Sequence, residues 1–215
     1  MACELGAKSS KVISVAALAC NKQFTATVQW PWAMELETFQ TFVQNFESKP
    51  EKTRRRFLAL QCLGDDNSKQ CSQLMQTIDT RCEDVGTWKS ALLLLGEMDL
   101  HESIVAMQRQ NKKLGFWFGD QDALVPYEVA KQLKVSYGDF AGLEVHTLLG
   151  VGHILPFNIG GVLEFELEQF FGSKQSPNEC SPVSDAASSH RSDELQASST
   201  FIINHSAVND EPSAL

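Results

Sequence analysis

The chain has 215 residues, 43% of them hydrophobic, and a formal charge of −9. That is enough chain for one domain with a real core. An acidic surface of this kind disfavours nucleic acid and anionic lipid as partners, and the absence of any run of eighteen apolar residues argues against a membrane span. Six cysteines stand at 3, 20, 62, 71, 82 and 180. None is in a CxxC pair or at zinc-ligand spacing from a histidine, so they read as reduced thiols of a cytoplasmic protein.

In chain order, "KVISVAALA" (11–19) is a continuous apolar run rich in β-branched residues and predicts a buried strand. A helical block follows. "ELETFQTFVQNFES" carries Phe39, Phe42 and Phe46 at helical spacing. "KPEKTRRRFLALQCLG" has Pro50 near its start and Gly64 as its stop, with Phe57, Leu60 and Leu63 predicted to share a face. "NSKQCSQLMQTIDTRC" and "GTWKSALLLLGEMDL" complete four helices, the last striped by Trp88, Leu92 and Leu95. Alternation then returns: "LGFWFGD" as strand, "PYEVAKQLKVSY" as helix, "GLEVHTLLG" as strand and "GGVLEFELEQFFG" as helix. Strand, helix, strand, helix predicts parallel crossovers and an α/β sheet. Helices inserted between two of its strands predict a lid of about residues 33–108 over a site. From Ser173 the chain turns rich in Ser, Asn, Asp and Pro, and 173–215 is expected to be a disordered tail outside a domain of residues 1–172.

In open α/β sheets functional groups collect in loops at the carboxyl ends of strands. Asp120 and Asp122 follow the strand in "LGFWFGDQDALVP", and His153 follows the next strand in "LLGVGHILPF". A carboxylate that accepts from one imidazole nitrogen fixes the tautomer and stabilises the imidazolium formed when the other nitrogen takes a proton. Asp122, directly before the segment that opens a helix, is the expected acid and His153 the expected base. Asp120 is expected to cap or hydrate the loop. Each residue alone also has an ordinary explanation: a loop aspartate is often a turn or N-cap residue, and a histidine often a partly exposed polar one.

"GDQDALVP" and "GVGHILPF" resemble the acid and base loops of the α/β-hydrolase superfamily. "RRRFLALQCLGDDNSKQ" (54–70), its spacing to "DALVP", and the "WPW" at 30–32 resemble the pimeloyl-[acyl-carrier protein] methyl ester esterases of biotin synthesis, over about residues 1–171. The resemblance implies an α/β-hydrolase fold, here the C-terminal part of the sheet with a four-helix lid insertion. It implies ester hydrolysis with Asp122 as triad acid and His153 as general base, no metal or organic cofactor, and acyl carrier protein as partner of an enzyme expected to be monomeric. Phe57 matches an apolar lid residue near the acyl chain. Arg56 and Lys69 match basic positions that meet the carrier protein. Independently, Lys49, Lys52, Arg54, Arg55, Arg56 and Lys69 concentrate positive charge in an otherwise acidic chain, which suits an acidic partner but equally suits a solvated helix face.

The third member of such a triad, a serine in G-x-S-x-G upstream of the acid, does not occur in these 215 residues. Ser9, Ser10 and Ser14 lie before or within the first strand, and Cys3 and Cys20 have no matching motif. The expectation is a chain without the first strands and the nucleophile elbow, with near-background ester hydrolysis on its own. Three strands alone would leave an unpaired edge and open apolar faces, so poor solubility is expected. A non-catalytic remnant that binds carrier protein or an acyl chain, and another lidded hydrolase, are the alternative readings.

Overall fold

The computed structural model describes residues 2–77, 84–158 and 160–172. The expected disordered tail, and two of the six cysteines, lie outside them. Three parallel strands run side by side in chain order: β1 (Ser14–Leu18), β2 (Lys113–Gly119) and β3 (Leu143–Leu148). Ser14 stands opposite Lys113, and Gly119 opposite Leu148. β1 begins three residues later than the apolar run that signalled it.

Side chains alternate across a strand, so this sheet has two apolar faces. Val15, Ala17, Leu114, Phe116 and Phe118 pack on one side against α1 (Ala2–Lys8), α6 (His101–Arg109) and α7 (Glu128–Ser136), which contribute Cys3, Ile104, Met107, Val129 and Leu133. Ala16, Leu18, Trp117 and Leu148 face the other side, where α9 (Gly160–Gly172) brings Leu163, Leu167 and Phe170. Both faces are therefore covered, which corrects the expectation of open apolar faces. Among the described residues β1 still pairs on one side only, although all five of its residues are buried.

Among the described residues four helices separate β1 from α6: α2 (Leu36–Ser48), α3 (Pro50–Gln61), α4 (Ser68–Thr77) and α5 (Val85–Gly96). These are the four helices the sequence predicts; α6 is a further helix before β2 that the sequence reading does not contain. The stem on which they stand is stitched together at its base. Thr25 Oγ1 donates to the Gly96 carbonyl at 2.8 Å, and the Leu100 amide to the Lys22 carbonyl at 2.8 Å. The "WPW" turn is held by Asn21, whose Oδ1 accepts from Trp30 Nε1 at 2.9 Å and whose Nδ2 donates to the Trp32 carbonyl at 2.7 Å. The buried residues of α3 are Thr53 and Gln61, whereas Phe57 and Leu60 are half-buried and Leu63 is exposed. Thr53 and Gln61 stand one turn before and one turn after Phe57, so the buried positions share the face that carries Phe57 and Leu60, while Leu63 lies beyond the end of the helix. Leu58, off the predicted stripe, joins Cys62, Cys71 and Met75 in a small lid core.

Candidate active site

Two loops at the carboxyl edge of β2 and β3 converge on one pair of side chains. β2 ends at Gly119, where an added Cβ would lie 2.1 Å from the Val151 carbonyl oxygen; only glycine lets the two loops approach so closely. Asp122 then turns the chain towards α7. Its Oδ1 accepts from the amides of Leu124 at 2.7 Å and Val125 at 3.0 Å, so one carboxylate oxygen is committed to the turn. Its Oδ2 is 2.9 Å from Nδ1 of His153. The Asp122 side chain is 0% exposed and that of His153 19%, so the acid is shut away while the base remains reachable. No hydrogen bond to His153 Nε2 is found among the described residues.

The base loop is braced by two further carboxylates. Asp120 Oδ1 accepts from the Gly150 amide at 2.7 Å and, more weakly, from Val151 at 3.4 Å. Asp120 thus does not share the imidazole; it holds the loop that carries it. Asp65, from the turn between α3 and α4, accepts the Gly152 amide on Oδ2 at 3.0 Å and the Asn67 amide on Oδ1 at 2.9 Å. Nothing in the sequence reading singled out Asp65. Its local signal, an acid two residues before the amide it caps at the start of a helix, points to a helix start and says nothing of a loop 87 residues away. On the far side of His153, Ile154 is fully buried and completes the lid core with Cys62, Cys71 and Met75.

Phe57 lies 5.6 Å from Phe42, ring centre to ring centre, between α3 and α2. Arg56 on α3 and Lys69 on α4 are exposed. Among the described residues no hydrogen bond, ion pair or ring contact joins these three to Asp122 or His153. Gln61 Oε1 is buried without a hydrogen-bond partner among the described residues. The alternative nucleophiles are unpromising. Burial pushes the Cys3 thiol up to about 12 and the Cys20 thiol up to about 11, so both stay protonated at neutral pH, and Ser14 is buried in β1. No group of three His, Cys, Asp or Glu residues suited to a metal ion is present among the described residues, and none of the described helices is long and apolar enough to cross a membrane.

Replacing Gly119 with alanine is expected to force the two loops apart. Loss of about 2 kcal/mol or more in stability, together with loss of the hydrogen-bonded His153 Nδ1 proton from the NMR spectrum, is the expected result. An unchanged Tm and spectrum would show that the loops have room to spare.

A parallel sheet covered on both faces, a helical block between its first two described strands, and an acid and a histidine meeting at its carboxyl edge are the α/β-hydrolase fold in part. Solved structures agree. An esterase from Exiguobacterium antarcticum superposes with a TM-score of 0.61 at 14% identity, over 75% of this chain and 58% of that one. A hydrolase from Oleispira antarctica gives 0.61 at 11% identity, over 79% and 60%. At such identities the likeness is one of fold.

Sequence relatives are more particular. The biotin biosynthesis bifunctional protein BioHC of Saccharophagus degradans is 34% identical over 147 residues, 66% of this chain and 25% of that protein. The pimeloyl-[acyl-carrier protein] methyl ester esterase of Xylella fastidiosa is 29% identical over 143 residues, 65% of this chain and 54% of that one. The chain resembles these proteins and spans about a quarter of the bifunctional relative and about half of the esterase. No family model matches it.

Proposed function

We propose that this chain carries the acid, the base and the lid of a carboxylic ester hydrolase of the serine type, acting in the cytoplasm on the methyl ester of pimeloyl-[acyl-carrier protein]. The observation that carries the reading is the 2.9 Å pair of the fully buried Asp122 and the accessible His153 at the edge of neighbouring parallel strands. In this mechanism Asp122 holds the imidazole with its proton on Nδ1. Nε2 then takes the proton of a serine hydroxyl as the serine oxygen bonds to the ester carbonyl carbon. The tetrahedral intermediate collapses with loss of methoxide, which His153 protonates to methanol. Water, deprotonated by the same Nε2, hydrolyses the acyl-serine and releases the free carboxyl group. Phe57 lines the path of the acyl chain, and Arg56 and Lys69 meet the carrier protein. The reaction requires neither metal nor organic cofactor.

No G-x-S-x-G occurs in these 215 residues, so the decisive experiment is to read the transcript on the 5′ side of the Met1 codon. An in-frame strand followed by G-x-S-x-G completes the hydrolase. An in-frame stop before any such motif ends the catalytic reading and leaves the second one, a module that binds the carrier protein or its acyl chain without turnover. One observation favours that second reading: six cations stand against three acids between residues 49 and 77 in a chain of net charge −9, and Lys52, Arg55, Arg56 and Lys69 are all exposed. Both readings share the docking step. Reversing Arg55 and Arg56 to glutamate is expected to weaken binding of an acidic acyl carrier protein about tenfold at low salt, chiefly through the association rate. Binding that ignores both the reversal and added salt would remove the basic patch from the account.

A further inference from the structure

The amides of Gly150, Val151 and Gly152 are three successive donors in the loop that delivers His153, and all three end on carboxylates. Two of them end on Asp120, which belongs to the sheet edge. The third ends on Asp65, which belongs to the lid. Asp65 is 7% exposed, although it is an acid in a turn, and both of its oxygens are used. The turn around it fits closely against both catalytic loops. Gly64 has φ +85°, and a Cβ there would lie 2.2 Å from the Gln121 carbonyl oxygen in the acid loop. A Cβ on Gly150 would lie 2.7 Å from Asp66 Oδ2. Immediately after His153, the side chain of Ile154 is sunk among Cys62, Cys71 and Met75 of the lid. The lid therefore grips the histidine's neighbours on both sides: the Gly152 amide by a charged hydrogen bond, the Ile154 side chain by packing.

We propose that Asp65 is a positioning residue for His153, tying the α3–α4 turn of the lid to the base's loop so that the imidazole stays on Asp122. The inference rests on the reading of Asp122 and His153 as acid and base, but its test does not require ester turnover. A hydrogen bond from an amide to a buried carboxylate is stronger than a neutral one, and the register of a loop this short follows its anchors. Asp65 also caps the start of α4 through the Asn67 amide, a merely structural duty. Asp65→Ser separates the two roles, because serine is a good cap while its shorter side chain falls short of Gly152.

The experiment is NMR on the full 215-residue chain, reading exchange of the Gly152 amide and the ring nitrogens of His153. In the wild type, Gly152 is expected to be protected like the β2–β3 ladder, and His153 to show a single tautomer protonated on Nδ1. In Asp65→Ser, Gly152 is expected to exchange about tenfold to a hundredfold faster and His153 to show a mixture of tautomers, with the β2 and β3 amides unchanged. Faster exchange at Gly152 with an unaltered His153 would overturn the proposal, since Asp65 would then hold the loop without positioning the base. So would an unaltered Gly152. If the variant does not fold, the wild type still decides: a Gly152 amide exchanging at the rate of a free amide overturns the proposal, and one protected like the ladder upholds its hydrogen bond. A chain shown by its transcript to lack catalysis would leave these readings intact, so failure of the catalytic reading and failure of this one are distinguishable.

Discussion

Asp122→Asn is expected to move the proton of His153 from Nδ1 to Nε2. The geometry leaves the asparagine little choice. Oδ1 of Asp122 accepts from two backbone amides, Leu124 and Val125, and an amide can only donate. The carbonyl oxygen of the new side chain must therefore stay on that side, which turns its NH2 group towards His153. An N–H directed at Nδ1 demands a lone pair there, so the ring proton is displaced to Nε2. A ring protonated on Nε2 cannot accept the hydroxyl proton of a nucleophile at that nitrogen. The fold should persist, because both turn hydrogen bonds survive. The ring-nitrogen shifts of His153 report the tautomer directly. With the serine supplied, kcat for ester hydrolysis is expected to fall about 10⁴-fold, the scale set by wrong-tautomer variants of such triads. Persistence of the Nδ1 proton in the variant would mean that Asp122 is not what orients the ring.

Trp117→Ala is the largest stability change expected. Trp117 is fully buried in the middle of β2. Its ring lies parallel to that of His146 at 4.8 Å and meets Phe170 edge-on at 5.2 Å, and Nε1 donates to Glu166 at 2.6 Å. Gly115, two residues earlier on the same face, makes the space: a Cβ there would lie 2.3 Å from the indole. Truncation removes the apolar area, the ring contacts and the hydrogen bond together, and the sheet cannot collapse into the gap because α9 is held by Leu163 and Leu167 as well. A loss of about 3–5 kcal/mol is expected, a large share of the stability of an ordinary domain. In a chain of this size that corresponds to a fall in Tm of about 6–20 °C. A Tm within about 2 °C of the wild type would mean that α9 does not cover this face in solution.

Much of this was legible in the linear sequence. The short apolar run in "LGFWFG", helical spacing in "TFQTFVQNF" and the helix-starting Pro50 are local signals, and they located β2, α2 and α3. The meeting of Asp122 and His153 was legible because each sits in a short loop directly after a strand, and parallel neighbouring strands bring such loops to one edge. What was not legible depends on partners far along the chain. Nothing local marks Thr53 and Gln61, one turn on either side of Phe57, as the buried members of that face of α3; spacing marks an apolar face but cannot say what lies opposite. Asp65 was invisible for the same reason, since its partner is the Gly152 amide and a backbone donor leaves no mark in a sequence.

The sequence by itself thus determined the three strands, their parallel order and the four helices inserted after β1, and it placed Asp122 and His153 at one edge of the sheet, all of which follow from local propensity and from the rules of short connections; α6 was not signalled. The tertiary structure alone decided which oxygen of Asp122 meets the imidazole, which amides Asp120 holds, and that the α3–α4 turn reaches the loop of His153 through Asp65. Those outcomes turn on distances of about 3 Å between groups up to 87 residues apart, and such distances are fixed only when the packing of Ile154, Trp117 and their neighbours has set where each loop comes to rest.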